Sequence, residues 1–313
     1  HPDIVSFLST KKENADEKIR VKTLSLGLVV PDKFYELIKN DDMMYLFSPY
    51  DVERIYGVPF SYVDITKEYE NMVNNPEIRK SKLRARDLEQ EISKLQQESG
   101  YPYIVNIDTV NKANPIDGKI IMSNLCSEIL QVQSPSVINN AQEYEVLGTD
   151  ISCNLGSTNI VNLMQSPDFE RSIEVAVRAL TFVTDHSSID AVPTVKNGNQ
   201  KAHTIGLGAM GLHTFFALNQ MEYGSPESIE VTDLYFRLLN FYTLKASHKI
   251  AKERGVTFDG FEKSAYASGT YFDAYTESDV EIKSEKVKEI FANLPIPTAE
   301  DWKQLKADVM ADG

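Results

Sequence analysis

Three chemically reactive side chains alternate in a short segment near the middle of the chain. Asn124, Cys126 and Glu128 place an amide, a thiol and a carboxylate at every second position. In a β-strand, residues i, i+2 and i+4 point to the same face, whereas a helix would turn the thiol away from the other two groups. The spacing therefore predicts an extended segment that presents all three groups to one site. There a buried carboxylate can act as a general base, and the amide can orient a hydroxyl-bearing substrate.

Each of the two cysteines allows a second interpretation. Free cysteine is among the most buried residue types and usually packs as a small hydrophobe. For Cys126 the polar neighbours favour chemistry over packing, because a buried carboxylate needs a reason to be there. Cys153 is either a core residue or a redox partner. Spacing leaves this open, since a disulfide requires Cα atoms within roughly 7 Å of each other.

A different class of function is indicated by the glycines of residues 206–211, which match the G-x-G-x-x-G pattern of dinucleotide-binding folds. The match lacks a long preceding strand and an acidic strand end about 20 residues later, so close helix packing through the glycines is the favoured explanation. The alternative hypothesis is a noncatalytic α/β module that binds a nucleotide on the loop from Gly206 to Gly211. The five histidines lack metal-ligand spacing, and no metal site is expected.

The elements that must position these groups alternate between helix and strand. The pattern predicts helices over 2–9, from residue 31 onward, and over 48–56, 65–73, 81–99, 171–185 and 225–254. It predicts strands over 21–30, 41–47 and 103–107. This alternation argues for an α/β fold with largely parallel strand pairing. No segment resembles a linker, so one continuous domain over residues 1–313 is favoured.

Composition and charge exclude several classes of protein. With 42% hydrophobic and 25% charged residues, the 313-residue chain can bury a sizeable core and is neither disordered nor fibrous. Lys and Arg total 32 against 46 Asp and Glu, and the net charge of −14 disfavours nucleic-acid partners. No apolar run reaches the roughly 18 residues of a membrane span, and no signal-peptide pattern opens the chain, which favours a cytoplasmic protein without a membrane partner. The missing initiator Met predicts a fragment of a larger fold.

Both cysteines lie in motifs that are specific enough to compare with a known family. The motifs are Ser-Asn-Leu-Cys-Ser-Glu-Ile at 123–129, Asp-Ile-Ser-Cys-Asn-Leu-Gly at 150–156, Glu-Asn-Ala-Asp-Glu-Lys at 13–18 and Tyr-Pro-Tyr at 101–103. With them the whole chain resembles the catalytic large subunit of class I ribonucleotide reductases, most of all class Ib. The resemblance implies a ten-stranded α/β barrel with a finger loop that carries the catalytic cysteine, and residues 1–313 as its central part.

The resemblance also implies a role for each candidate residue. Cys126 becomes a thiyl radical that abstracts the 3′ hydrogen of a ribonucleotide. Glu128 takes the proton of the 3′ hydroxyl, Asn124 hydrogen-bonds the ribose, and the 2′ hydroxyl leaves as water. Cys153 is one of the two cysteines that are oxidised to a disulfide. The implied substrate-binding segment is Asn124, Leu125, Cys126, Ser127 and Glu128.

Finally, the resemblance implies partners outside this chain. No cofactor is expected in the chain itself, because a small subunit with a dimetal–tyrosyl centre supplies the radical. ATP and deoxynucleoside triphosphates are the expected effectors, a nucleoside diphosphate is the substrate, and a glutaredoxin-like protein or thioredoxin is the reductant. The full-length subunit is expected to form a homodimer. The chain has no third cysteine, so the fragment alone is expected to be inactive.

Overall fold

The computed structural model describes residues 1–150, 152–187 and 189–313. Contacts within the chain divide it into two compact units. The first unit contains His1–Asn114 and Gly118–Gln133, and the second contains Pro115–Asp117 and Ser134–Gly313. One continuous domain over the whole chain stays a prediction. Among the described residues, no helix is both long and apolar enough to cross a membrane.

Helices and short strands follow one another through both units. The helices are α1 (Ile4–Ser9), α2 (Asp32–Asn40), α3 (Pro49–Tyr56), α4 (Ile65–Asn74), α5 (Ala85–Ser99), α6 (Ile107–Ala113), α7 (Ile160–Met164), α8 (Phe169–His186), α9 (Pro193–Ala202), α10 (Leu212–Leu218), α11 (Pro226–Arg254), α12 (Asp273–Thr276), α13 (Glu285–Phe291) and α14 (Ala299–Asp312). The strands are β1 (Gly27–Val30), β2 (Met43–Phe47), β3 (Lys80–Arg84), β4 (Tyr103–Asn106), β5 (Val137–Ile138), β6 (Tyr144–Val146), β7 (Leu155–Asn159) and β8 (Gly206–Met210).

The strands of the described residues pair two by two. β1 pairs with β4 and β7 with β8 in parallel, whereas β2 pairs with β3 and β5 with β6 in antiparallel fashion. The predicted α/β class is confirmed, but largely parallel pairing is only half right. The helix predicted over 81–99 begins at Ala85, because residues 80–84 pair with β2 instead. Their charged side chains resemble those of a helix surface, and only the tertiary partner makes them a strand.

Local capping signals set both ends of α11 and the start of α14. Ser225 caps the start of α11, Pro226 is its first residue, and Gly255 ends it with a φ of +64°. Thr298 and Asp301 form a capping box at the start of α14. Such caps satisfy the backbone groups that a helix end leaves unpaired, which explains why these boundaries follow from sequence.

Each unit has a hydrophobic core of its own. In the first unit, Phe47 and Met72 are among the fully buried side chains. In the second, α11 packs against α8 and α14 and contributes Tyr235 and Leu238 to the core. The Cys126 segment belongs to the first unit and the Cys153 segment to the second.

Candidate active site

The segment around Cys126 forms a tight loop rather than a strand. The Oδ1 atom of Asn124 accepts the backbone N–H of Cys126 at 2.9 Å. The Ile129 N–H donates to the Cys126 carbonyl at 2.8 Å and closes a turn. The predicted extended segment is therefore wrong. Asparagine competes with strand formation, because its side chain satisfies the backbone two residues ahead and stabilises a turn.

Ser123 holds the same turn from its other side. Its Oγ lies 2.7 Å from the Ile129 carbonyl oxygen and 3.2 Å from that of Cys126, so one hydroxyl hydrogen is shared between two acceptors. Sequence reasoning assigned no role to this residue, although serine is typical of turns. Ser123 and the Asn124 side chain together fix the backbone on both sides of the thiol.

The side chains of this loop differ in their exposure. Asn124, Cys126 and Ser127 are half-buried, while Glu128 is exposed and Leu125 is 76% exposed. The expectation of a carboxylate buried beside the thiol on one strand face is wrong, because a turn replaces the alternating pleat. The loop nevertheless keeps all five residues on one short turn. An exposed carboxylate and a half-buried thiol are both accessible to a ligand there.

The lead-in to the loop is anchored to α6. The Asn111 amide donates to the carbonyls of Ile107 and Ile120 at 3.0 and 2.9 Å, and its Oδ1 accepts the Ile120 N–H at 2.9 Å. The Lys119 ammonium donates to the Tyr62 carbonyl at 3.0 Å, and burial lowers the pKa of this lysine. The Cys126 loop therefore starts from a fixed point on the first unit.

Cys153 is half-buried and lies two residues before β7. Ser152 and Asn154, which flank it, are each only 8% exposed. Their side chains both donate to Oδ1 of Asn199 in α9, at 3.0 and 2.7 Å. The Asn199 amide in turn donates to the Thr184 carbonyl at 2.7 Å. This polar cluster fixes the backbone on either side of the sulfur, and sequence reasoning missed it.

The glycine pattern does not form a phosphate-binding turn. Gly206 and Gly208 lie inside β8, and Gly211 alone of the three has a left-handed backbone, with a φ of +84° just before α10. A dinucleotide fingerprint needs its glycines in the turn between strand and helix. Gly206 instead allows β8 to lie beside β7, because a Cβ atom there would lie 2.5 Å from Cδ2 of Leu155. Strand pairing, rather than the expected helix packing, explains this glycine.

Two histidines in this unit make structural contacts. His203 faces Asp185 at 3.5 Å, and the same carboxylate pairs with Arg254 at 2.7 Å. His186 stacks on Phe182, with ring centroids 3.9 Å apart. In the described part of the chain, no cluster of three or more His, Cys, Asp or Glu residues is suited to hold a metal ion.

Comparisons with known proteins point to the same family as the sequence resemblance. Residues 1–313 match the family model described as "Ribonucleotide reductase, barrel domain". The whole chain is 44% identical to the ribonucleoside-diphosphate reductase subunit alpha of Mycoplasma pneumoniae and 44% identical to that of Bacillus subtilis. The corresponding protein of Mycoplasma genitalium is 45% identical over the whole chain. The chain spans 44%, 45% and 44% of the lengths of these three relatives.

Proposed function

The chain belongs to the ribonucleotide reductase family, and on that premise we propose that it carries the central catalytic segment of a class I, most closely class Ib, ribonucleoside-diphosphate reductase. The whole enzyme converts ribonucleoside diphosphates into 2′-deoxyribonucleotides for DNA synthesis. One observation carries the proposal. On the Cys126 loop, the Asn124 side chain holds the backbone of the half-buried thiol while Glu128 is exposed on the same turn.

Each residue of the loop has its own task in this proposal. As a thiyl radical, the Cys126 sulfur takes the 3′ hydrogen atom of the ribose. Glu128 accepts the proton of the 3′ hydroxyl, and Asn124 hydrogen-bonds the ribose. A substrate that covers the turn excludes water from the exposed carboxylate, which strengthens its attraction for that proton. The oxidising equivalent that generates the radical comes from a separate small subunit with a dimetal–tyrosyl centre.

Cys153 supplies reducing equivalents in the same proposal. Replacing the 2′ hydroxyl by hydrogen, with release of water, consumes two electrons and two protons. A pair of thiols provides both as it becomes a disulfide, and Cys153 is one of that pair. A thioredoxin or glutaredoxin-like protein then restores the thiols. This cycle needs a compartment that keeps thiols reduced, so a cytoplasmic location is part of the proposal.

The decisive experiment replaces Cys126 in the full-length enzyme, assayed with its small subunit and an excess of dithiol reductant. Cys126→Ser should abolish deoxynucleotide formation and leave the affinity for the nucleoside diphosphate nearly unchanged, which shows that the protein is still folded. Deoxynucleotide formation at the normal rate would overturn the proposal. A module that only binds nucleotide on the Gly206–Gly211 loop would tolerate Cys126→Ser and lose affinity on substitution of Gly208.

A further inference from the structure

The buried side of α9 is polar. Its buried residues are Thr194, Gly198 and Asn199. A helix that packs inside a globular unit normally buries an apolar stripe, because apolar burial is what stabilises the packing. Thr194 and Gly198 instead meet Asp150, and Asn199 meets the two residues that flank Cys153. The composition of this helix face therefore indicates that α9 fixes the backbone around Cys153.

Asp150 is the first anchor of the segment. Oγ1 of Thr194 donates to the Asp150 carboxylate at 2.5 Å, and the Asp150 N–H donates to the Thr194 carbonyl at 3.1 Å. Gly198 lets the helix approach this closely, because a Cβ atom at its position would overlap the Asp150 carbonyl oxygen. Three residues before Cys153, the backbone is thus fixed against α9.

Asn199 is the second anchor and the more specific one. It is only 3% exposed, and its Oδ1 accepts from both neighbours of Cys153, the Ser152 hydroxyl and the Asn154 amide. The Asn154 amide also donates to the Thr204 carbonyl at 3.1 Å. Removing the Asn199 side chain takes away the acceptor that Ser152 and Asn154 share, which loosens the backbone on both sides of the sulfur.

We propose that Asn199 is a positioning residue that sets the orientation of the Cys153 sulfur toward its partner thiol. This inference rests on the proposed function, in which the two thiols lose two electrons and two protons as the S–S bond forms. Disulfide formation requires a sulfur separation near 2.05 Å and a narrow range of dihedral angles. A cysteine between two anchored neighbours is already held near the required geometry. A cysteine in a loosened segment must reach that geometry by conformational fluctuation in each turnover.

The test uses the full-length enzyme with its thiols fully reduced and its small subunit present, in a single turnover without added reductant. Asn199→Ala should slow deoxynucleotide formation by about ten- to hundredfold, the cost of a small misplacement of reacting groups. The concentration of nucleoside diphosphate that gives half the maximal single-turnover rate should stay unchanged, because Asn199 is not assigned to substrate. Ser152→Ala, which removes one of the two bonds to Asn199, should give an intermediate rate. Alkylation of Cys153 by iodoacetamide, followed on its own peptide, should become faster in both variants.

Asn197→Ala is the matched control. Asn197 lies on the same helix, and its amide donates to the carbonyls of Leu147 and Gly148 at 3.1 and 2.9 Å. It should leave the single-turnover rate and the alkylation of Cys153 unchanged. Equal slowing by Asn197→Ala and Asn199→Ala would overturn the positioning role, because α9 would then act only as general support.

Two further outcomes separate the inference from the proposed function. A slower rate in Ser152→Ala at an unchanged melting temperature supports the positioning role even where Asn199→Ala folds poorly. A normal single-turnover rate in Cys153→Ser would instead overturn the role of Cys153 in the proposed function, and the role of Asn199 would fall with it. Normal rates in both Asn199→Ala and Ser152→Ala, with an inactive Cys153→Ser, would overturn the positioning role alone.

Discussion

Asn124 offers a way to separate holding the Cys126 loop from binding the substrate. Its Oδ1 accepts the Cys126 N–H at 2.9 Å, and its NH₂ group is the donor proposed to reach the ribose. Asn124→Asp keeps an acceptor at the same place and removes the NH₂ donor, whereas Asn124→Ala removes both. The two substitutions therefore have different effects on the loop and the same effect on the reaction.

The hydrogen bond to the Cys126 amide sets the expected magnitude. One such bond contributes about 0.5–1.5 kcal/mol net, which corresponds to about a two- to twelvefold change in the equilibrium between the closed and the open loop. The Cys126 amide should therefore exchange its hydrogen about two- to twelvefold faster in Asn124→Ala, by the same conversion. In Asn124→Asp the exchange rate should stay close to that of the unmodified enzyme. Both variants should lose deoxynucleotide formation.

Hydrogen exchange of the peptide that covers residues 123–129, measured by mass spectrometry in the full-length enzyme, is the assay. Asn139→Ala is the control, because the Asn139 Oδ1 accepts the N–H groups of Ala141 and Glu143 at 2.9 Å each in a different loop. It should leave the Cys126 peptide unchanged. Unaltered exchange in Asn124→Ala would refute the loop-holding role, and an active Asn124→Asp enzyme would refute the role of the NH₂ group.

Features that depend on neighbouring residues could be predicted from the sequence. The start and end of α11 follow from Ser225, Pro226 and Gly255, whose effects on the backbone are local. The strand prediction at residues 124–128 is wrong, although the residues that decide it are also close in sequence. There the tendency of Asn124 and Ser123 to bond to nearby backbone outweighs the alternation of polar groups. That tendency is also visible in the sequence.

Features that depend on distant residues could not be predicted in this way. β3 forms because residues 80–84 meet β2, and nothing within that charged segment requires a strand. Asn199 meets Asn154 across 45 residues of sequence. The one available signal was a short helix with Thr194, Gly198 and Asn199 at spacings of four and five residues, where apolar residues are the rule. The role of the polar buried face of α9 can be inferred only once the residues that it contacts are known.

Two contacts in the second unit give predictions about stability. Hydrogen bonds from Arg178 and Lys249 hold the pKa of the Glu174 carboxyl at about 2, below its ordinary 4.5. Because the folded protein keeps this carboxyl charged, its ion pairs stabilise the fold above pH 4.5, and this stabilisation is lost as the pH falls toward 2. Glu174→Gln should therefore lower the urea midpoint of unfolding at pH 7. Near pH 2 the variant and the unmodified protein should have the same midpoint. A lower midpoint at both pH values would contradict this assignment. Gly206→Ala places a Cβ atom 2.5 Å from Cδ2 of Leu155 and should cost about 1 kcal/mol, the low end for overpacking. The low end applies because the Leu155 side chain is 45% exposed and can move. Leu155→Ala removes the obstructing atom. In urea unfolding, the double variant with Gly206→Ala and Leu155→Ala should therefore be destabilised by less than the sum of the two single variants. Strict additivity would exclude this clash as the reason for a glycine at position 206.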